Sequence, residues 1–247
     1  METVDVFSSL AELLAEMQAD ELEVKHGLLV PRNQYIEEKI GSIKQELEGH
    51  YAKILRSMSS IAVILKKELE LLPQIVKEHH AKELSFAMQR LIVCKKNPEE
   101  LAKEEKVLEA NTWQDFFNLS DETLLWIYKI GYRYHEERKT EEARALFQLL
   151  VMLNSQVSDY WVALGFTERQ LSLESVALTS FAMAIILNPE NPIPRYQSAE
   201  LYFHLGQFED ALLELDVLSE IIAKEKLDFL KSDVELLRSK VKNKQLL

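Results

Sequence analysis

WVALGFTERQLSLESVALTSFAMAIILNP, Trp161 to Pro189, is the stretch whose reading decides the fold. Its apolar residues recur at helical spacing on either side of a short polar break, and its small residues fall at set places. Gly165 has no side chain, so a partner helix can approach closely. Ala177 and Ala184 are small for the same reason. Trp161, Leu164 and Phe181 fill the space between the helices, and Pro189 stops the second one. The expectation is two helices folded back on each other by a tight turn.

The pattern recurs on both sides. One period of about 34 residues toward the N-terminus, Gly165 becomes Gly131, Ala177 becomes Ala143 and Phe181 becomes Phe147. Tyr134 fills the aromatic place three residues after Gly131. In the other direction Ala177 becomes Ala211 and Gly165 becomes Ala199. Tyr202 takes the aromatic place there, and Gly206 falls in the turn. This order and spacing matches the tetratricopeptide repeat. It predicts three repeats over 123–225, at about 124–157, 158–191 and 192–225, the minimum for a stable stack. Only six glycines and six prolines occur in 247 residues. Breakers this sparse predict an all-α chain.

Further segments flank the repeats. From Ser8 to Lys25, Leu10, Leu13, Leu14, Met17 and Leu22 share a helical face, with Ser8 or Ser9 as N-cap and Gly27 as stop; Leu28 to Pro31 reads as an extended connector. A long helix is expected from Asn33 to about Leu72, closed by Pro73. Its stripe of Ile36, Ile40, Ile43, Leu47, Ile54, Ile61, Ile64 and Leu71 is broken by His50, Ser57 and Glu68. Those breaks favour a hairpin or bundle over an intermolecular coiled coil. A third helix carries Ile75, Val76, Leu84, Met88, Leu91 and Ile92 as far as Lys96. Asn97-Pro98-Glu99-Glu100 restarts a fourth, which fades near Asn111. These helices make up an amino-terminal extension, 1–110. Residues 111–122 read as a junction, where Trp113, Phe116 and Phe117 cover the open end of the first repeat and Ser120 caps its first helix. After the repeats, Leu227, Leu230, Val234, Leu237 and Val241 give a capping helix within 226–247, ending in the basic Lys240, Lys242 and Lys244.

Composition narrows the function. The net charge of −12 disfavours nucleic acid and anionic lipid as ligands. A single cysteine, Cys94, forbids an internal disulfide and suits a reducing compartment. Glu2, Asp5 and Glu12 precede the first basic residue, Lys25, the wrong charge for a secretory signal. No uncharged apolar run is long enough to cross a bilayer, so membrane insertion is not expected and the chain reads as soluble and cytoplasmic. No glycine-rich phosphate loop, paired-cysteine motif or nucleophile elbow occurs. His79, His80 and Glu83 make a poor metal set, and a solvated charged face is expected there. Neither a cofactor nor a metal nor an enzymatic activity is expected.

A repeat scaffold binds through the concave face lined by the first helix of each repeat. Its inward positions are Tyr128, Tyr132 and His135, then Val162, Phe166 and Arg169, then Tyr196, Glu200 and Phe203. Rings in these places suit an extended, largely apolar peptide. Tyr134 and Tyr202 are expected in the core between repeats instead. A carboxylate clamp for an acidic C-terminus needs Lys, Arg and Asn donors where this chain has Tyr128, Tyr132, Val162 and Phe166.

Several segments resemble one family. They are Leu119-Ser120-Asp121-Glu122 leading into Ile130-Gly131-Tyr132-Arg133-Tyr134, then Glu142-Ala143-Arg144-Ala145-Leu146-Phe147-Gln148. Tyr160-Trp161-Val162-Ala163-Leu164-Gly165-Phe166 and Asn191-Pro192-Ile193-Pro194-Arg195-Tyr196 continue the likeness. Together they resemble the tetratricopeptide chaperones of type III secretion translocators (class II, low-calcium-response H-like). The resemblance implies a cytoplasmic chaperone that keeps a pore-forming translocator soluble by holding a short proline-and-leucine segment in the groove. Tyr128, Tyr132, Phe166 and Tyr196 would be its anchors. It also implies a homodimer formed through helices before the first repeat. The extension over 1–110 is far longer than the family's, and leaves three roles open: a second stretch of client, dimerisation, or docking on the secretion apparatus. The alternative reading is a non-enzymatic adaptor that oligomerises through the extension and docks on a secretion or other cytosolic assembly.

Overall fold

The computed structural model describes Ala15 and residues 32–96 and 112–245, and among these the regular structure is entirely helical, with no strand. The chain divides into two compact units, Met1–Ile127 and Tyr128–Leu247. The expected first helix with its caps and connector, and the expected helix after Asn97, lie outside the described residues, Ala15 excepted.

In the amino-terminal unit, α1 (Arg32–Leu69) and α2 (Gln74–Lys96) fold into a hairpin. The break is tight. Leu71 and Leu72 donate backbone N–H bonds to Glu68 and Leu69, and Pro73 accepts from Lys77 as α2 begins. Helix α1 therefore ends three residues before the expected Leu72. Ile61 and Leu65 of α1 and Ala87 of α2 are buried. Leu71, Ile75 and Val76, expected on apolar stripes, are instead exposed. They flank the turn between the two helices. The side chains of Ile43, Leu47, Ile54, Leu91 and Ile92 lie outside the described ones.

The charged face expected at His79, His80 and Glu83 needs correction. His80 is only 5% exposed; its Nδ1 lies 2.8 Å from Thr123 Oγ1 and its ring stacks on Trp126 at 4.8 Å and 8°. Glu83 accepts from both the backbone N–H and the hydroxyl of Ser120, at 3.0 and 2.8 Å. These groups fasten α2 to the start of α4 (Asp121–Glu136), where Ser120 Oγ also accepts from Thr123 N–H as the expected N-cap. Burial is the main effect on the His80 ring and pushes its pKa down. His79 alone stays near solvent, between Glu83 and Glu122. The short α3 (Trp113–Phe117) is closed by a capping box of Thr112 and Asp115. Arg90 of α2 donates to the Phe116 carbonyl and lies over the Phe86 and Phe116 rings.

The carboxy-terminal unit is built from helices at a constant interval. After α4 come α5 (Thr140–Leu153), α6 (Ser158–Gln170), α7 (Glu174–Leu187), α8 (Pro192–His204) and α9 (Phe208–Glu225). The turns after α4, α6 and α8 are alike. Arg138, Ser172 and Gly206, spaced 34 apart, all have positive φ, of 60°, 59° and 74°. The next residue in each donates back to Tyr134, Glu168 or Tyr202, at 2.9, 2.9 and 2.8 Å. This is the six-to-one closure that a left-handed residue permits at a helix end. Only the third turn uses glycine, so the other two carry a small conformational cost.

The close approach rests on glycine. A Cβ at Gly131 would lie 2.8 Å from the Phe147 ring, and one at Gly165 would lie 2.6 Å from the Phe181 ring. At the same register the third pair has Ala199 and Leu215, both fully buried. A larger residue on one helix is matched by a smaller one on the other. Ala143, Ala177, Ala211 and Ala184 are all fully buried, Leu164 is 5% exposed, and Tyr134 is buried while Tyr202 packs at the edge of the third core. Trp161 keeps partial exposure because its indole N–H reaches the Ser155 carbonyl at 2.8 Å. Pro189 follows the end of α7. Asn191 caps α8 by accepting from Ile193 N–H at 3.0 Å, with Pro192 in the first turn.

A 3-10 turn (Asp228–Leu230) and α10 (Lys231–Gln245) follow. Val234, Leu237 and Val241 are buried against Leu215, Leu218 and Ile222. Arg238 clamps the helix down, donating to the Leu215 carbonyl at 2.8 Å and to Ser219 Oγ at 2.9 Å.

Candidate groove of the carboxy-terminal unit

Nine positions on α4, α6 and α8 share one register. Tyr128, Tyr132 and His135 recur 34 residues later as Val162, Phe166 and Arg169, and again as Tyr196, Glu200 and Phe203. Identical closure of the three helices holds these rows in phase. Spacings of three and four put each helix's trio on one face.

The first trio is aromatic and open. Tyr132 is 51% exposed. Tyr128 sits behind it, 6.2 Å between ring centroids, and also meets Phe147 at 5.6 Å and Tyr160 at 5.7 Å. Burial, with the Asp159 charge second, raises the pKa of Tyr128, so its phenol stays neutral. His135 is half-buried, its Nδ1 has no hydrogen-bond partner among the described residues, and burial lowers its pKa. A neutral imidazole is the expected state at neutral pH.

The second trio runs from apolar to charged. Val162 is 9% exposed. Phe166 leaves part of its ring open and packs edge-on against Phe181 at 5.8 Å. Arg169 donates to Glu200 at 2.7 Å and to the Gln197 amide oxygen, joining α6 to α8. In the third trio, Tyr196 and Phe203 are partly buried against the core of α9 and α10. Burial is the largest cause raising the Tyr196 pKa, and Glu200 adds to it through its charge and a hydrogen bond. The nine positions thus bring five aromatic rings, one aliphatic side chain and three polar groups onto related faces of three helices. Among the described residues no cluster of His, Cys, Asp or Glu could hold a metal ion. No described helix is long and apolar enough to cross a membrane.

One buried group escaped the sequence reading. Glu168 stands at the place that holds Tyr134 and Tyr202 in the neighbouring pairs, and it is 2% exposed. It accepts from Ser180 Oγ at 2.6 Å, and Arg144 Nε lies 3.9 Å away. Burial dominates and pushes its pKa up. The signal was present: a charged residue at an aromatic place of a repeat.

No family model matches the chain. Low calcium response locus protein H of Yersinia pestis is 25% identical over 105 residues, 42% of this chain. The protein of that name from Yersinia pseudotuberculosis matches equally. The match spans 62% of those relatives' length. Among solved structures, a type III secretion complex from Aeromonas hydrophila is similar at a TM-score of 0.54 and 22% identity, over 59% of this chain and 98% of that one. The Yersinia enterocolitica type III secretion translocator chaperone SycD gives 0.50 at 22% identity, over 54% and 95%. PcrH, in complex with the chaperone binding region of PopD, gives 0.50 at 23%, over 51% and 96%. The chain is thus similar in sequence to low calcium response locus protein H, and in fold to the type III secretion chaperone SycD and to PcrH.

Proposed function

We propose that this chain is a cytoplasmic, non-enzymatic chaperone of type III secretion. Its groove on α4, α6 and α8 holds an extended apolar segment of a hydrophobic translocator and keeps that protein soluble and competent for secretion. The helix pairs over 124–157, 158–191 and 192–225 are its tetratricopeptide repeats, 226–247 is their cap, 1–110 is the extension and 111–122 the junction.

One observation carries the reading: the exposed, ring-bearing face of α4 and α6. A tyrosine ring left half in water and backed by another ring offers a partner an apolar surface with a polar tip. Covering the exposed part of Tyr132, about 100 Å², contributes roughly 2–3 kcal/mol before the costs of association. Similarity to low calcium response locus protein H, and to PcrH bound to a segment of PopD, supports the same use.

The test is co-expression of the full chain with a candidate hydrophobic translocator, then co-purification from the soluble fraction. Wild type should retain the translocator, and Y132A should lose about 10-fold or more in affinity while melting like wild type. Retention unaffected by Y132A and F166A in folded protein would remove the groove from the mechanism. Capture of a folded partner with no solubilisation of the translocator would favour the adaptor.

A further inference from the structure

The two seams of the groove are chemically unlike, although the same register builds both. Between α6 and α8, Arg169 reaches Glu200 and Gln197. One period earlier, between α4 and α6, the corresponding residues are His135, Phe166 and Ala163. That set cannot form an ion pair, and the His135 Nδ1 has no hydrogen-bond partner among the described residues. The first seam is therefore ring-lined, while the second is crossed by a charged bridge whose partners are 28% and 26% exposed.

An apolar side chain laid on that bridge would strip water from Arg169 and Glu200 without replacing its hydrogen bonds. A polar side chain or a main-chain carbonyl would not, because a guanidinium has five N–H donors and Arg169 uses only Nη1 on the partners above. We propose that Arg169, held by Glu200 and Gln197, is the specificity-determining residue of the groove. It confines bulky apolar side chains to the seam between α4 and α6, and requires hydrogen-bond acceptors where the segment crosses the seam between α6 and α8. The occupant is an extended peptide, apolar at one end and polar at the other. This rests on the groove being the binding face, and it adds the order in which that face reads its client.

The experiment selects displayed random 12-residue peptides on the full chain, then measures affinities of synthetic versions by fluorescence polarisation. Wild type should enrich peptides with large apolar residues gathered at one end. Replacing the polar end of the best peptide by leucines should weaken binding at least about 10-fold on wild type. On R169L/E200L the leucine-rich peptide should regain that factor, provided circular dichroism shows the variant folded. The wild-type arm stands alone if the variant does not fold. Unchanged affinity for the leucine-rich peptide on wild type would overturn the role of Arg169 and leave the groove intact. Failure of wild type to enrich any apolar peptide would instead overturn the groove itself.

Discussion

Gly165→Ala puts the close approach of the second helix pair to the test. An alanine Cβ there would lie 2.6, 2.8 and 2.9 Å from three carbons of the Phe181 ring. Phe181 is fully buried, so its ring has no open space to swing into. Two effects oppose each other. Alanine is better than glycine inside a helix by about 1 kcal/mol. Forcing a methyl into a packed core costs about 1–3 kcal/mol. Contacts this far inside van der Waals range place the cost at the upper end, so the net loss should be about 1–2 kcal/mol. For a chain of this size that lowers Tm by about 2–8 °C. The third pair supplies its own rescue, since Ala199 and Leu215 occupy the same two places. Phe181→Leu alone should cost on the order of 1–2 kcal/mol through lost burial. G165A/F181L should be less destabilised than the sum of the single variants, by about 1 kcal/mol in a double-mutant cycle. Gly41→Ala is the control: a Cβ at this exposed position of α1 would meet nothing within 4 Å among the described residues, and the helix should gain up to about 1 kcal/mol. Thermal melts followed by circular dichroism read all four. A Tm for G165A at or above wild type, or strict additivity in the cycle, would refute the packing argument.

Three further outcomes follow from buried and partly buried groups. Glu168 has a folded pKa raised by burial, so its favourable contribution is full below its unfolded value near 4.5 and fades as pH rises through the folded value. E168Q keeps a partner for Ser180 without the charge, so its Tm relative to wild type should climb as pH rises from about 4.5 to 8; a pH-independent offset would count against this. His80 is shifted the other way. Its contribution is present above about 6.5 and lost as pH falls through the lowered folded value, with His79, Glu83 and Glu122 as the charged groups around it. The wild-type Tm should therefore drop more between pH 7.5 and about 5.5 than that of H80Q, and equal drops would exclude His80 as the cause. Arg238→Ala removes donors to the Leu215 carbonyl and Ser219, and should cost roughly 1.5–3 kcal/mol. Limited proteolysis should then cut near Lys226 sooner than in wild type, and an unchanged cleavage pattern would show that α10 is held by Val234, Leu237 and Val241 alone.

The sequence by itself determined the period. Gly131, Gly165 and Ala199 mark where helices must approach, Phe147, Phe181 and Leu215 lie at matching intervals, and Gly206 marks a turn. These are local demands on volume and backbone angle, so they are legible in a linear text. The same spacing aligns the nine positions of the candidate groove, because a fixed period carries a face along with it. What was not legible depends on groups far apart in the chain. His80 and Glu83 have the composition of a solvated face, and only Thr123, Ser120 and Trp126, some 40 positions later, turn them into a buried fastening. Leu71, Ile75 and Val76 satisfy an apolar pattern, yet beside the hairpin turn they are exposed among the described residues. Arg169 and Glu200 are 31 residues apart, and nothing in either position announces a bridge. Pattern fixes which face a side chain is on; only tertiary structure decides what stands opposite it, and that partner sets burial, charge state and use.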